Sequence, residues 1–234
     1  MRLVGFEETS FIDWDDRVSG VLFVGACNLH CPFCHNHRVA ADDPELATLA
    51  WPDLAALLKK RKDWLSGIVI TGGEPLMHPE IFELCDRLKA LGFPLKVDTN
   101  GTFPYQLHSL LTLGLVDYVA MDVKAPLNEK YERACGGPVD LAVIRRSIRL
   151  LVQSGVAYEF RTTLVPGLVD LEDAEAIGKA VQGARALYLQ QFVPKNSRAE
   201  SYREKQPYSR TDVESLAGRL KPFVGSVKLR GRFL

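Results

Sequence analysis

The sequence predicts an α/β fold in which short parallel strands alternate with helices, arranged as a partial (β/α)6 TIM-like barrel. Three observations carry this expectation. Short apolar runs recur between stretches of helical spacing, the order of repeated β-α units joined by right-handed crossovers. Almost every chemically distinctive residue falls at the carboxyl end of an expected strand, the rim on which β/α barrels build their sites. Six such strands can be read rather than eight, so the barrel is expected to be incompletely closed and accessible from its side.

The elements follow in order. Residues 18–24 read as the first strand and run directly into a cysteine-rich loop. Residues 52–60 have helical spacing, with Leu54, Leu57 and Leu58 on one side. Residues 67–71 form a short, fully apolar strand of the kind buried on both faces of a parallel sheet. Pro79 opens a helix whose Ile81, Phe82, Leu84, Cys85 and Leu88 make an apolar face, with Cys85 expected in the core. Strands are expected at 95–98, 116–121, 158–164 and 187–192, and helices at 105–113, 141–153, 171–182 and 211–220. One domain is expected over residues 1–234, with a core of about 17–192 and a C-terminal extension of about 193–234.

Composition bounds the function. Hydrophobic content of 47% and charged content of 25% are ordinary for a globular protein. With 29 basic and 29 acidic residues, nothing argues for bulk binding of nucleic acid. No apolar stretch approaches the ~20 residues of a membrane span. Residues 1–10 lack the apolar run of a secretion signal, and five cysteines in a chain of this length suggest thiols kept reduced in the cytoplasm.

The most informative stretch is Cys27-Asn28-Leu29-His30-Cys31-Pro32-Phe33-Cys34, with CxxxCxxC spacing. Three thiolates on one short loop can hold three irons of a [4Fe–4S] cube and leave the fourth iron open. Electron-transfer clusters usually close that position with a fourth Cys, and an open metal position normally means chemistry. Zinc is the rival, because His30, His35 and His37 could supply a fourth ligand. Spacing alone leaves both open. Gly72-Gly73-Glu74-Pro75 follows the second expected strand, where it is either an ordinary strand-to-helix turn or a place of close backbone approach to a ligand.

The cysteine motif with Phe33 before its last Cys, followed by Gly72-Gly73-Glu74-Pro75, resembles the radical S-adenosylmethionine superfamily. The resemblance implies that Cys27, Cys31 and Cys34 bind one [4Fe–4S] cluster, whose open iron chelates S-adenosylmethionine. Gly72, Gly73 and Glu74 would receive the methionine amino group. Further stretches narrow the likeness: residues 5–13, Cys31 to Asn36, Asp98-Thr99-Asn100-Gly101, Met121-Asp122-Val123-Lys124 and Leu164-Val165-Pro166-Gly167. These are similar to the glycyl-radical-enzyme activases, most like those serving anaerobic ribonucleoside-triphosphate reductase, over about residues 5–192. By that likeness Asp122 and Lys124 help bind the methionine carboxylate, and Arg161 adds a positive group near the cofactor. Asp98 and Asp122 become candidates for a bound monovalent cation. A low-potential donor, flavodoxin or ferredoxin, would reduce the cluster, which would cleave the sulfonium to a 5′-deoxyadenosyl radical. The target would be the Cα–H of a glycine on the partner enzyme.

Residue by residue, blander readings stand beside these. Asp98 followed by Asn100-Gly101 is a natural turn former, and Lys124 an ordinary surface lysine. Arg161 interrupts a mostly apolar strand, where a buried charge needs a partner. His35 and His37 are read as loop-packing groups, Cys135 before Gly136-Gly137 as weak evidence of function, and 195–210 as either a partner contact or a solvated loop. No Cys lies between Asn36 and Thr71, so a single cluster is expected. The likeness to the pyruvate formate-lyase activase would imply a His after the sixth strand that touches the cofactor; here Gln190-Gln191-Phe192 stands there and no His lies beyond His108, which argues against pyruvate formate-lyase as the partner. Three alternatives remain: a 7-carboxy-7-deazaguanine synthase acting on a small pterin, a non-catalytic iron–sulfur or zinc module, and a barrel binding phosphate at its rim.

Overall fold

The computed structural model describes residues 1–233. They gather into two compact units, each assembled from separated stretches. The first comprises Met1–Asn28, Asn36–Thr99 and Tyr105–Val119; the second comprises Leu29–His35, Asn100–Pro104 and the chain from Ala120 onward. The C-terminal stretch contributes a strand to the second.

The first unit is built around three parallel strands. Leu3–Ser10 (β1) pairs antiparallel with Ser19–Val24 (β2). After the short helix His37–Ala40 (α1) and the helix Trp51–Lys60 (α2) comes Gly67–Gly72 (β3), parallel to β2. Ile81–Ala90 (α3) leads to Leu95–Thr99 (β4), parallel to β3. Pro104–Thr112 (α4) leads to Tyr118–Asp122 (β5), whose first two residues belong here. Ile68, Val69 and Ile70 are fully buried, which is why β3 reads as an unbroken apolar run. Leu54 and Leu58 on α2, and Ile81, Leu84, Cys85 and Leu88 on α3, supply buried helix faces at i, i+3 and i+4 spacing. Cys85 is in the core as expected, and burial pushes its thiol up to about 12. β1 was not anticipated, because it exposes Glu7 and Glu8 and carries no continuous apolar run.

The second unit starts with the last three residues of β5 and the helix Glu129–Cys135 (α5). Leu141–Gln153 (α6) buries Ile144, Ile148 and Leu151 and is capped by Asp140, whose side chain accepts from the Ala142 N–H at 2.8 Å. Ala157–Leu164 (β6), Leu187–Gln191 (β7) and Val227–Arg230 (β8) pair in parallel, with Ala174–Ala180 (α7), Glu200–Arg203 (α8) and Arg210–Leu220 (α9) between them. α5 and β8 had escaped prediction. α5 has seven residues, four of them charged, and β8 alternates Lys228 and Arg230 with Val227 and Leu229 in only four. Cap chemistry explains α5: Asn128 accepts from the Lys130 N–H at 2.9 Å, and Gly136 ends it at φ +73°. The fold class is the expected one, α/β with parallel strands and intervening helices. Among the described residues no helix is long and apolar enough to cross a membrane.

Candidate active site

In the first unit Gly72, which ends β3, and Gly73 after it lie directly against the start of the cysteine loop. Gly73 N–H donates to the Val24 carbonyl at 2.8 Å and Glu74 N–H to the Ala26 carbonyl at 2.9 Å. A Cβ on Gly73 would stand 1.7 Å from the Ala26 oxygen, and one on Gly72, at φ +119°, 2.5 Å from the Val24 oxygen. Only glycine permits this approach. Ala26 itself adopts φ +69°, uncommon for a residue with a side chain, immediately before Cys27. His78 braces the same turn, its Nε2 lying 2.8 Å from the Gly25 carbonyl oxygen. Glu74 is 1% exposed, and its Oε1 accepts from the Leu76 N–H at 3.0 Å and the Thr99 hydroxyl at 2.8 Å. One carboxylate oxygen of Glu74 is therefore committed to holding the turn. Asp98 is buried near the end of β4.

In the second unit Cys31 and Cys34 sit on one turn, closed by the Cys34 N–H to Cys31 carbonyl bond at 3.1 Å. Phe33 between them is buried. The C-terminal stretch clamps this turn. Ala199 N–H donates to the Pro32 carbonyl at 2.8 Å, and the His35 Nε2 lies 2.6 Å from the Val193 carbonyl oxygen. Residues 195–210 are thus anchored: Lys205 reaches the Pro166 carbonyl at 3.2 Å, and Tyr208 donates to Asp170 at 2.5 Å. Asn100 and Gly101 form the turn expected of them, with Asn100 Oδ1 accepting from the N–H and hydroxyl of Thr102 at 2.9 and 2.6 Å.

The same unit gathers Asp122, Lys124 and Arg161. Arg161 Nε donates to Asp122 Oδ1 at 2.9 Å, and Lys124 Nζ to Asp122 Oδ2 at 2.7 Å. The buried arginine of β6 thereby has the partner its position demanded. Burial would push the Asp122 carboxyl up, but the charges of Arg161 and Lys124 outweigh it and hold the group at about 2. Burial would likewise lower Lys124, yet the Asp122 charge raises it above the ordinary lysine range. All three remain charged at neutral pH, and the trio carries one net positive charge.

All five cysteines are free of disulfides. The Cys31 thiol is lowered to about 7, first by a side-chain hydrogen bond with Cys135 and then, against burial, by the charge of Lys124. A soft thiolate beside a cation suits iron–sulfur ligation. Cys27 belongs to the first unit and Cys31 and Cys34 to the second, all on the single stretch 27–34. Among the described residues no three His, Cys, Asp or Glu side chains are gathered to hold a single metal ion. The left-handed Ala26, the brace from His78 and the Cys31–Cys135 contact escaped the sequence reading, because they depend on backbone conformation and tertiary packing. Gly136, as a helix-ending residue, was the one legible hint of the last.

Residues 21–180 match the Radical SAM superfamily. A protein of Methanocaldococcus jannaschii, provisionally named a glycyl-radical enzyme activating enzyme, is 32% identical over 97% of this chain and 94% of its own. The 7-carboxy-7-deazaguanine synthase of Neisseria meningitidis serogroup B is 33% identical over 56% of this chain and 55% of its own. Among solved structures, Streptococcus suis SuiB bound to its precursor peptide SuiA superimposes with a TM-score of 0.70 at 14% identity. That superposition covers 90% of this chain and 48% of the other, so this chain spans about half of SuiB and the likeness concerns the fold. From the matched family and the full-length relative, the chain belongs to the radical S-adenosylmethionine (radical SAM) superfamily.

Proposed function

We propose that this radical SAM enzyme is a glycyl-radical-enzyme activase, holding one [4Fe–4S] cluster on Cys27, Cys31 and Cys34 and serving an anaerobic ribonucleoside-triphosphate reductase. The observation that carries the reading is the extent of the match to the M. jannaschii protein, 97% of this chain and 94% of that one. The deazaguanine synthase matches little more than half of either chain. The donor set supports the cluster: three unbridged thiols on one short segment, with Lys124 offsetting the charge of Cys31.

When bound, the cluster supplies one-electron reductive cleavage of S-adenosylmethionine. The chain supplies the rest. Gly72 and Gly73 let the backbone approach the cofactor closely and offer carbonyl acceptors to its amino group. Glu74, engaged through Oε1, fixes that turn. Lys124 and Arg161, held by Asp122, present the net positive charge that a methionine carboxylate needs. That net charge gives no support to a monovalent cation at Asp122. Phe33 packs the cysteine turn. A flavodoxin or ferredoxin supplies the electron.

The test is anaerobic incubation of the reconstituted protein with the reductase, S-adenosylmethionine and a reductant, followed by EPR. The reading predicts an organic radical doublet on the reductase that collapses when its glycine is deuterated at Cα. Nucleoside release without that doublet, together with turnover of a small pterin, would replace the activase reading with the synthase one.

A further inference from the structure

Residues 193–199 form a strap laid on the cysteine turn within the second unit. The Ala199 N–H donates to the Pro32 carbonyl at 2.8 Å, and the His35 Nε2 lies 2.6 Å from the Val193 carbonyl oxygen. The strap thus grips the turn at residues 32 and 35, on either side of Cys34. It is itself held in shape. Ser197 is fully buried, its N–H donates to the Pro194 carbonyl at 2.9 Å, and its carbonyl accepts from Arg203 Nε at 2.9 Å. Towards solvent the strap shows Val193, 48% exposed, together with an exposed Lys195 and a half-buried Arg198. Among the described residues neither the Lys195 nor the Arg198 side chain is engaged in an ion pair or hydrogen bond. The whole chain balances 29 basic against 29 acidic residues, but 193–210 hold five Lys or Arg against two Glu, and neither 29–35 nor 193–199 contains an Asp or Glu.

We propose that this surface docks the electron donor, a carrier protein with an acidic face, with Val193 as an apolar contact beside the cations of Lys195 and Arg198. The inference rests on the cluster reading of Cys31 and Cys34. Electrons cross protein only over short distances, so the donor must sit close to a ligand of the cluster. The strap is bonded to the turn that carries two of them. Cations held without partners on a fixed surface draw an acidic protein in and set its orientation, and an apolar centre with a polar rim is the ordinary make-up of an interface. The glycine-bearing enzyme has another requirement: it must reach S-adenosylmethionine at the open iron, which neither Cys31 nor Cys34 holds. The step served here is the transfer of one electron. The reduced flavin of a flavodoxin gives up the electron, the cluster gains it and passes from the 2+ to the 1+ state, and no bond is made or broken.

The test uses the full chain, reconstituted anaerobically, as wild type and as the double variant Lys195→Glu with Arg198→Glu. Binding of an acidic flavodoxin is measured by calorimetric titration at low and high salt. In parallel, 5′-deoxyadenosine is quantified with either reduced flavodoxin or dithionite as the reductant. The double reversal is expected to weaken flavodoxin binding about tenfold or more at low salt, and the difference from wild type should narrow at high salt. Nucleoside release should fall with flavodoxin and stay at the wild-type level with dithionite. Unchanged affinity in the variant, or a wild type that does not bind flavodoxin, would overturn the proposal. A variant that keeps flavodoxin-driven release but no longer forms the radical on the reductase would also overturn it, and would give the surface to that partner. If the double variant does not load its cluster, Lys195→Gln with Arg198→Gln takes its place: weaker binding supports the proposal, and unchanged binding overturns it. Wild-type protein that releases no nucleoside even with dithionite would instead remove the cluster reading itself.

Discussion

Gly73 and Ala26 touch backbone to backbone: a methyl group at 73 would stand 1.7 Å from the Ala26 carbonyl oxygen. The glycines at the end of β3 and the approach to Cys27 are thus one packed element, further joined by the bond from Glu74 N–H to that same oxygen at 2.9 Å. Gly73→Ala is expected to cost more than about 3 kcal/mol, since the obstructing atom is backbone and cannot rotate away. Urea unfolding would show the loss, and iron uptake after reconstitution would fall with it. Stability within a few tenths of a kcal/mol of wild type would refute the contact.

Ala26 at φ +69° gives a companion prediction. Ala26→Gly relieves the left-handed strain but loosens the unfolded chain, so its stability should stay within about 1 kcal/mol of wild type. Ala26→Val places a β-branched side chain at positive φ and should cost roughly 2 kcal/mol or more. Equal thermal melting of the two variants would argue against the left-handed conformation.

Asp122 holds two cations, one on each oxygen. Asp122→Asn removes the carboxylate charge that Arg161 and Lys124 both contact. Fully buried pairs lose roughly 3–5 kcal/mol in this way, and the Asp122 side chain is 24% exposed. A loss of about 2–3 kcal/mol is therefore expected by urea unfolding.

The pH dependence of that loss has a definite sign. The folded Asp122 carboxyl sits at about 2 against an ordinary 3.8, the pull of Arg161 and Lys124 outweighing burial. Between these values the unfolded chain binds more protons, so stability rises with pH. The contribution, on the order of 2 kcal/mol, is complete above about pH 4 and disappears as pH falls through about 2. The gap in urea midpoint between wild type and Asp122→Asn should close over that window. A gap that stays constant down to the acid end would contradict the ion pairs.

Glu74 is expected to matter to folding as well as to the cofactor. Glu74→Ala removes the acceptor of the Leu76 N–H and of the Thr99 hydroxyl and should cost about 1–3 kcal/mol. Thr99→Val, which removes one of the two bonds, should cost less. Thermal unfolding of both variants checks the order.

How much of this was legible follows from where the information resides. The buried strand at Ile68–Ile70 and the faces of α2, α3 and α6 declare themselves through apolar spacing, which is local. Arg161 could be singled out because a charge in an apolar strand is costly, and its partner Asp122 lay in a motif already marked. β1 and β8 were hidden because half-exposed strands with charged residues lack that local signal. The positive φ of Ala26 and the meeting of Cys31 with Cys135 depend on tertiary packing, so no spacing rule could reveal them. Glu74 was read as a ligand group, and its structural bonds to Leu76 and Thr99 became visible only in three dimensions.

The most direct test of the account is one anaerobic experiment on the reconstituted, dithionite-reduced protein. S-adenosylmethionine is added, 5′-deoxyadenosine is quantified, and the low-temperature EPR spectrum is recorded with and without the cofactor. The account predicts nucleoside release and a [4Fe–4S]⁺ signal that shifts on cofactor addition, both lost in Cys31→Ala. A well-formed cluster whose spectrum ignores S-adenosylmethionine, or nucleoside release that survives Cys31→Ala, would contradict it.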